Sequence, residues 1–415
     1  MNPGTGRHHD SHSKATFIGR QPIYDRALDV YAYELLYRRS QKNLATFTDG
    51  DLATSQVIIN TFMEVGLENI VGSKPAFINV TGDFFTGDYP LPMSHEQVVF
   101  ELLETVVPDT GVIAGVRRLV EQGYRIALDD YLLQHDTLPL LELASFVKLD
   151  VLAMERDELS RTVERLRRYP LQLVAEKVET PAHYEMCHSL GFDLFQGYFF
   201  ARPDVIHTRT TSANRSVVLS LIAQLQNPDI ELRQVEQLIA QDVILSFRLL
   251  RYINCATFGL RREVDSIRQA LMLLGLATVR NWATLLLLSQ VDNHKPRELM
   301  TIALIRARMC ELLSVTDPAI DSNQAFTAGL FSLLDAMLDQ PMETLLDQLP
   351  LSMPIKLALL DREGPLGALL KAVVCYERGE WDGVVLRGAV AIDYNSAYLA
   401  AVNWADHSSK ALRAA

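Results

Sequence analysis

Cysteine is scarce in this chain, and what there is does not cluster. Cys187, Cys255, Cys310 and Cys375 are spread through 415 residues with no Cys-x-x-Cys pair. That excludes a disulfide framework and a zinc site built on closely spaced thiolates. The four are expected as buried free thiols in a reducing cytosol. Long apolar runs are also missing. No stretch of about 18 uncharged apolar residues exists, so no transmembrane helix is expected. The first residues, MNPGTGRHHDSHSK, lack the apolar core of a signal peptide. Residues 1–14 are expected to form a disordered tail, despite a metal-capable His8, His9 and His12. A positive balance is missing as well. The formal net charge is −12, which argues against general DNA or RNA binding. It does not exclude a small anion in a local pocket. No internal repeat and no low-complexity block interrupts the chain.

What is present is an ordinary globular composition, 48% hydrophobic and 22% charged, over a length suited to one or two domains. From Ala15 to about Arg202, short runs rich in Val, Ile, Phe and Tyr alternate with amphipathic stretches. Strands are predicted at Thr16–Gly19, Val30–Leu36, Ala76–Val80, Val98–Leu103, Arg125–Leu128, Phe146–Leu149, Leu171–Ala175 and Leu194–Gln196. Helices are predicted at Leu52–Val65, Thr110–Gln122, Val151–Arg168 and Pro181–Leu190. Alternation of this kind implies a parallel sheet, and so many units in one stretch imply a compact α/β barrel of TIM type, complete or incomplete. The polar text PDVIHTRTTSA, residues 203–213, reads as a linker. Beyond it, i, i+3, i+4 apolar spacing dominates, from Val217–Leu225 through Arg297–Leu313 and Gln324–Leu338 to Met342–Gln348, and an all-α domain is predicted.

The stretch RIALDDY, Arg125–Tyr131, organises the first half. Its apolar run suits a buried strand, and Asp129 and Asp130 follow at its C-terminal end. Two adjacent carboxylates there repel each other and resist desolvation, a cost that a divalent cation removes. A solvated acidic turn is the plain alternative for such a pair taken alone. Functional groups of parallel barrels gather at the C-terminal ends of strands. The other predicted strand ends carry Glu34 with Arg38, then Asn79, Glu101 with Glu104, Lys148, Glu176 with Glu179, and Gln196. Any one of these alone reads as a rim residue or half of a surface ion pair. Together they are oxygen ligands for hard cations such as Mg²⁺ or Mn²⁺, with one lysine nearby. Two such ions clamp a phosphodiester and activate a water, and a lysine lowers the charge of the transition state.

On these residues the first half resembles the EAL domain, the family that hydrolyses cyclic di-GMP to linear pGpG. The matching text is YELLYR (33–38), FINVT (77–81), FELLE (100–104), ALDDY (127–131), VKLD (147–150), AEKVET (175–180) and QGYFFARP (196–203). The resemblance implies a barrel domain over residues 15–203. It implies Glu34, Asn79, Glu101 and Asp129 as ligands of one metal, Asp130 as a ligand of a second, and Asp129 as a bridge. Lys148 and Glu176 would position or activate the attacking water, with Gln196 assisting. Glu179 would be a partner of these groups, and Arg38 and Pro203 would lie at the ligand. Two departures stand out. Leu35 replaces the family's alanine. The family's glycine- and serine-rich loop, which shapes the metal site and a dimer contact, is replaced by Tyr131-Leu132-Leu133-Gln134-His135. Retained ligands with an altered loop fit either hydrolysis or binding alone, and a homodimer is left open.

Residues 204–415 resemble the HDOD domain, a helical relative of the HD phosphohydrolases. The matching text is IAQDVILSFRLLRYINCATFG (239–259), SIRQALMLLGLATVRNWATLLLL (266–288), FTAGLFSLLDAM (326–337) and DQLPLS (347–352). Ser332 and Leu333 stand where a metal-binding His-Asp pair would be, and they cannot hold a metal. The resemblance implies an interaction module for an unknown protein partner. The expectation is a cytoplasmic cyclic di-GMP signalling protein, a metal-dependent phosphodiesterase, without direct DNA binding or membrane attachment. The alternatives are an inactive receptor for the dinucleotide and an interaction scaffold with a vestigial barrel.

Overall fold

The computed structural model describes residues 16–39, 65–87, 93–129, 138–198, 213–240, 266–289, 298–380 and 394–414, with Leu245, Leu249, Ile253 and Val264 between them. The tail 1–14, most of the predicted helix Leu52–Val65, the linker 203–212 and Cys255 lie outside these residues. Strands β1 (Thr16–Asp25) and β2 (Val30–Arg39) come first. They are followed by α1 (Leu67–Val71), β3 (Ala76–Val80), α2 (Gly82–Thr86), β4 (Val98–Leu102), α3 (Thr110–Glu121) and β5 (Arg125–Leu128). Next come α4 (Leu138–Leu141), β6 (Phe146–Asp150), α5 (Arg156–Leu166), β7 (Gln172–Glu176), α6 (Pro181–Leu190) and β8 (Leu194–Gln196). The eight strands close into one barrel in sequence order, so it is complete.

The expected parallel sheet needs one correction. Strands β2 to β8 are parallel, but β1 runs antiparallel to both β2 and β8. The cause is local. The connection from Asp25 to Val30 is too short for a crossover, so it can only form a hairpin. Asp25 tightens it by accepting from the backbone N–H groups of Ala27 and Asp29 at 2.9 and 3.0 Å.

Helix ends follow side-chain chemistry. Asp109 accepts from Val112 N–H at the start of α3, and Thr180 accepts from His183 N–H before a proline at the start of α6.

Inside the barrel, side chains stack in layers set by the two-residue period of strands. The lower layer is apolar: Ile23, Ala32, Phe77, Val99, Ala127, Phe146, Val174 and Leu194 form a separate buried cluster. Every strand contributes one of these residues, so the barrel floor is closed and apolar. Two residues further toward the mouth, each parallel strand carries its polar residue.

The second half is helical. It comprises α7 (Ala213–Gln226), α8 (Leu232–Ala240), α9 (Ile267–Leu274), α10 (Leu276–Ser289), α11 (Glu298–Ser314), α12 (Ser322–Phe331), α13 (Leu334–Leu338) and α14 (Met342–Gln348). Three further helices lack a counterpart in the segments named above: α15 (Met353–Leu360), α16 (Gly364–Glu377) and α17 (Tyr394–Ala414). Helix α11 is buried nearly all round and packs against α12, α16 and α17. The predicted helix Gln324–Leu338 is in fact two, broken at Ser332–Leu333. There the Ser332 hydroxyl donates back to Gly329 C=O at 2.7 Å, a bond that competes with the helix ladder. Cys187, Cys310 and Cys375 are buried free thiols. Among the described residues, no helix is long and apolar enough to cross a membrane.

The two halves meet along β1. Strand β8 covers only Ile23–Asp25 of that edge. The rest would leave backbone groups bare, and tyrosines of the helical half satisfy them. Tyr376 OH accepts from Ile18 N–H at 3.2 Å and donates to Ile18 C=O at 3.0 Å. Tyr398 OH accepts from Arg20 N–H at 3.2 Å. The buried Arg20 donates to Ile70 C=O and, at 3.2 Å, to Asp406, and its guanidinium lies 4.3 Å from the Tyr33 ring. Tyr33 OH in turn donates to the buried Glu298 at 3.0 Å. Tyr376→Phe strips Ile18 of both partners. It should cost about 1–3 kcal/mol in urea unfolding, with an unchanged slope against denaturant.

Candidate functional site

The polar layer above the apolar floor contains Glu34 (β2), Asn79 (β3), Glu101 (β4), Lys148 (β6), Glu176 (β7) and Gln196 (β8), with Asp129 just beyond β5. Each stands two residues after its apolar-layer neighbour, so both project into the same interior. Glu34, Glu101, Lys148 and Gln196 are all buried.

Lys148 is the centre. Its ammonium donates to Glu34 at 3.0 Å and to Glu101, and it pairs with Glu176 at 2.6 Å and Asp129 at 3.8 Å. The repulsion expected of converging acids is thus met by a cation that the chain supplies itself. Glu34 is held on its other side. Asn79 donates to its Oε1 at 3.0 Å and Gln196 to its Oε2 at 2.7 Å.

These contacts set the protonation order. Burial raises the pKa of Glu34, but Lys148 and the bonds from Gln196 and Asn79 outweigh it, so the carboxyl lies below its ordinary value. Glu101 goes the other way. Burial, together with Glu34, Asp129 and Glu176, pushes it well up against the pull of Lys148. Glu176 is pushed up to about 7, mainly by burial, with Asp129 and Glu34 adding to it against Lys148. Burial disfavours the Lys148 charge, yet Glu101, Glu34, Glu176 and Asp129 raise its pKa well above the ordinary lysine value. The cluster therefore combines a permanent cation, a firmly ionised acid and an acid that titrates near neutrality.

A hard cation fits this donor set. Glu34, Glu101 and Glu176 each place one carboxylate oxygen within 4.8 Å of the others. Three buried oxygens, Asn79 Oδ1, Glu101 Oε2 and Gln196 Oε1, lack a hydrogen-bond partner among the described residues. Carboxylate and amide oxygens of this kind suit Mg²⁺ or Mn²⁺. No other group of three or more His, Cys, Asp or Glu side chains forms such a cluster among the described residues. In the helical half, Ser332 accepts from Arg306 at 3.1 Å, and Arg306 makes a two-pronged ion pair with Glu377 at 2.6 and 2.8 Å. A buried guanidinium and its carboxylate occupy the ground beside Ser332.

Seven of the predicted residues thus meet in one layer. Glu179 lies half-buried in the loop after β7, and Glu104 is exposed beyond β4. Arg38 lies on β2 with its side chain outside the described set, and Asp130 and Pro203 are outside it altogether. Two residues were missed. Gln21 accepts from Gln196 at 3.1 Å and donates to Tyr198 OH at 3.0 Å, extending the layer onto β1. Its signal was its place two residues before Ile23 on the one reversed strand. Between them, Gly197 turns at φ 153, and a Cβ there would run into Val178 C=O. That glycine is part of the QGYFF text and sets Tyr198 beside the mouth.

The sequence model of the EAL domain matches residues 90–203, and that of the HDOD domain matches residues 213–338. A protein of Vibrio cholerae serotype O1, the cyclic di-GMP phosphodiesterase CdgJ, is 36% identical over 376 residues, 89% of this chain and 86% of CdgJ. The uncharacterized protein YuxH of Bacillus subtilis is 33% identical over 374 residues, 88% of this chain and 91% of YuxH. Among solved structures, an EAL domain protein of Listeria monocytogenes covers 45% of this chain and 87% of its own, at 20% identity and a TM-score of 0.36. With both domain models matched in the order of its two halves and a relative 36% identical over 89% of the chain, this chain belongs to the EAL–HDOD family.

Proposed function

We propose that the barrel hydrolyses cyclic di-GMP to linear pGpG, and that the helical half passes its state to a protein partner. The polar layer carries this reading: four acids, two amides and one lysine converge above an apolar floor. CdgJ, named for this activity, is related along nearly the whole chain. Glu34, Asn79, Glu101 and Asp129, with Asp130 beside them, would hold one or two divalent cations. When bound, such ions polarise the phosphodiester and lower the pKa of the attacking water. Glu176 accepts that water's proton, since an acid with a pKa near 7 is suited to the task. Lys148 steadies the negative charge that gathers on phosphorus oxygens. Gln196 holds Glu34 in place. The water oxygen bonds to phosphorus, the P–O3′ bond breaks, and the 3′-oxygen leaves with a proton. We take residues 15–203 as the catalytic unit and 204–415 as the output unit, and we place the reaction in the cytoplasm.

A receptor without turnover is the second reading, favoured by the loop Tyr131–His135, which lacks glycine. Incubation with cyclic di-GMP and Mn²⁺ or Mg²⁺, followed by chromatography of pGpG, separates the two. Turnover above that of Glu34→Ala is the expected result. Binding without turnover would establish the receptor, and loss of both would leave only a scaffold.

A further inference from the structure

We propose that the helical half completes the ligand site, with Arg378 binding a phosphodiester of the cyclic dinucleotide at the barrel mouth. This rests on the reading of the ligand given above and adds a residue from outside the barrel to it. Arg378 is the residue on which α16 ends, and the end is rigid. Gly379 N–H bonds Tyr376 C=O at 3.1 Å and Glu380 N–H bonds Cys375 C=O at 2.9 Å, the paired bonds of a Schellman cap. Gly379 takes φ 72, the left-handed conformation that such a cap requires. Two residues before Arg378, Tyr376 is tied to β1 through Ile18. The helix end is therefore held against the barrel.

Its side chain is placed for a ligand. The guanidinium carbon lies 4.8 Å from the centre of the Tyr198 ring, a cation–π contact. Tyr198 belongs to the hydrogen-bonded series Glu34, Gln196, Gln21, Tyr198 that starts in the acid layer. A groove of about 240 Å³ opens between the halves, walled by Gln21, Tyr37, Asn79 and Arg378. Asn79 also donates to Glu34, so the groove opens directly onto the layer. Arg378 is the one charged side chain among the described residues that wall it.

The ligand carries two phosphodiester anions. In the reading above, the one being cleaved meets the divalent ions and Lys148. The other would lie toward the rim, where it needs a cation of its own. A guanidinium fork already stacked on Tyr198 offers two parallel N–H donors to that phosphate. Its present partner Glu380 is 3.9 Å away, with the two side chains 39% and 58% exposed, a weak pair that a phosphate replaces readily.

The test is rapid-mixing titration of the full-length protein with cyclic di-GMP in Mn²⁺, read before turnover, alongside steady-state kinetics. Arg378→Ala should weaken binding about 10-fold to 100-fold, the size of a lost charge-assisted hydrogen bond. KM should rise in parallel, with kcat within about threefold. Arg378→Lys should recover part of the loss, and the affinity of Arg378→Ala should depend less steeply on salt. Melting curves of Arg378→Ala and Arg378→Lys, each matching the wild type within a few degrees, guard against an effect of misfolding. Equal affinity in wild type and Arg378→Ala, or a fall in kcat alone, overturns the proposal while leaving the assigned ligand intact. Absence of binding by the wild type overturns that ligand and the proposal with it.

Discussion

Lys148→Met should abolish measurable turnover and lower the melting temperature by roughly 10 °C at pH 8, from a loss of about 3–5 kcal/mol. The ammonium is buried among four carboxylates, and methionine replaces its volume but not its charge. Without it, burial and mutual repulsion raise the folded-state pKa of those acids above their unfolded values. Groups shifted upward support the fold below the unfolded pKa, near 4.3 for glutamate, and lose that support as pH rises through the folded value. The deficit of the variant should therefore be small near pH 5 and complete by pH 8. Lys148 itself, with its pKa raised further, stays charged over that whole range in the wild type. Mn²⁺ should raise the melting temperature of the variant more than that of the wild type, because the ion supplies the missing positive charge. An unchanged melting temperature at pH 8 would show that the cluster does not depend on Lys148.

The polar layer could be read in the sequence because parallel strands put one functional residue at each C-terminal end. Ala76–Val80, Arg125–Leu128 and Leu194–Gln196 begin and end as predicted. Gln21 escaped because that rule assumes every strand points the same way. On the reversed β1 the mouth-side residue precedes Ile23, and the predicted strand Thr16–Gly19 stops short of it. The helices Met353–Leu360 and Gly364–Glu377 escaped for another reason. Each has a proline in its first turn, which reads as a break, and apolar residues crowd much of its length, so the amphipathic period fades. The seam between the halves was invisible for want of any local signal. Tyr376 and Ile18 are 358 positions apart, and nothing near either announces the other. The same holds for Arg378, whose position depends on that seam.

Glu176→Gln should separate activity from stability. Turnover should fall by about 10²–10⁴-fold, the usual contribution of a general base. Stability with a chelator present should move in the opposite direction. Glu176 is buried beside Asp129 and Glu34, and its pKa in the folded chain is pushed up to about 7. Its unfolded value is near 4.3, so the wild type loses support as pH climbs from there through about 7. Glutamine has no such proton to lose. The variant should match or trail the wild type at pH 5, where Glu176 is protonated and neutral, and exceed it by a few degrees at pH 8. Divalent cation should then reverse the order, since in the wild type the Glu176 carboxylate adds a negative charge beside the ion, and that affinity should itself climb with pH as bound protons are displaced. Paired melting curves at pH 5 and pH 8, with and without Mn²⁺, give all four comparisons. A variant less stable than the wild type at pH 8 with chelator would mean that the ion pair with Lys148 at 2.6 Å outweighs the cost of burying the charge.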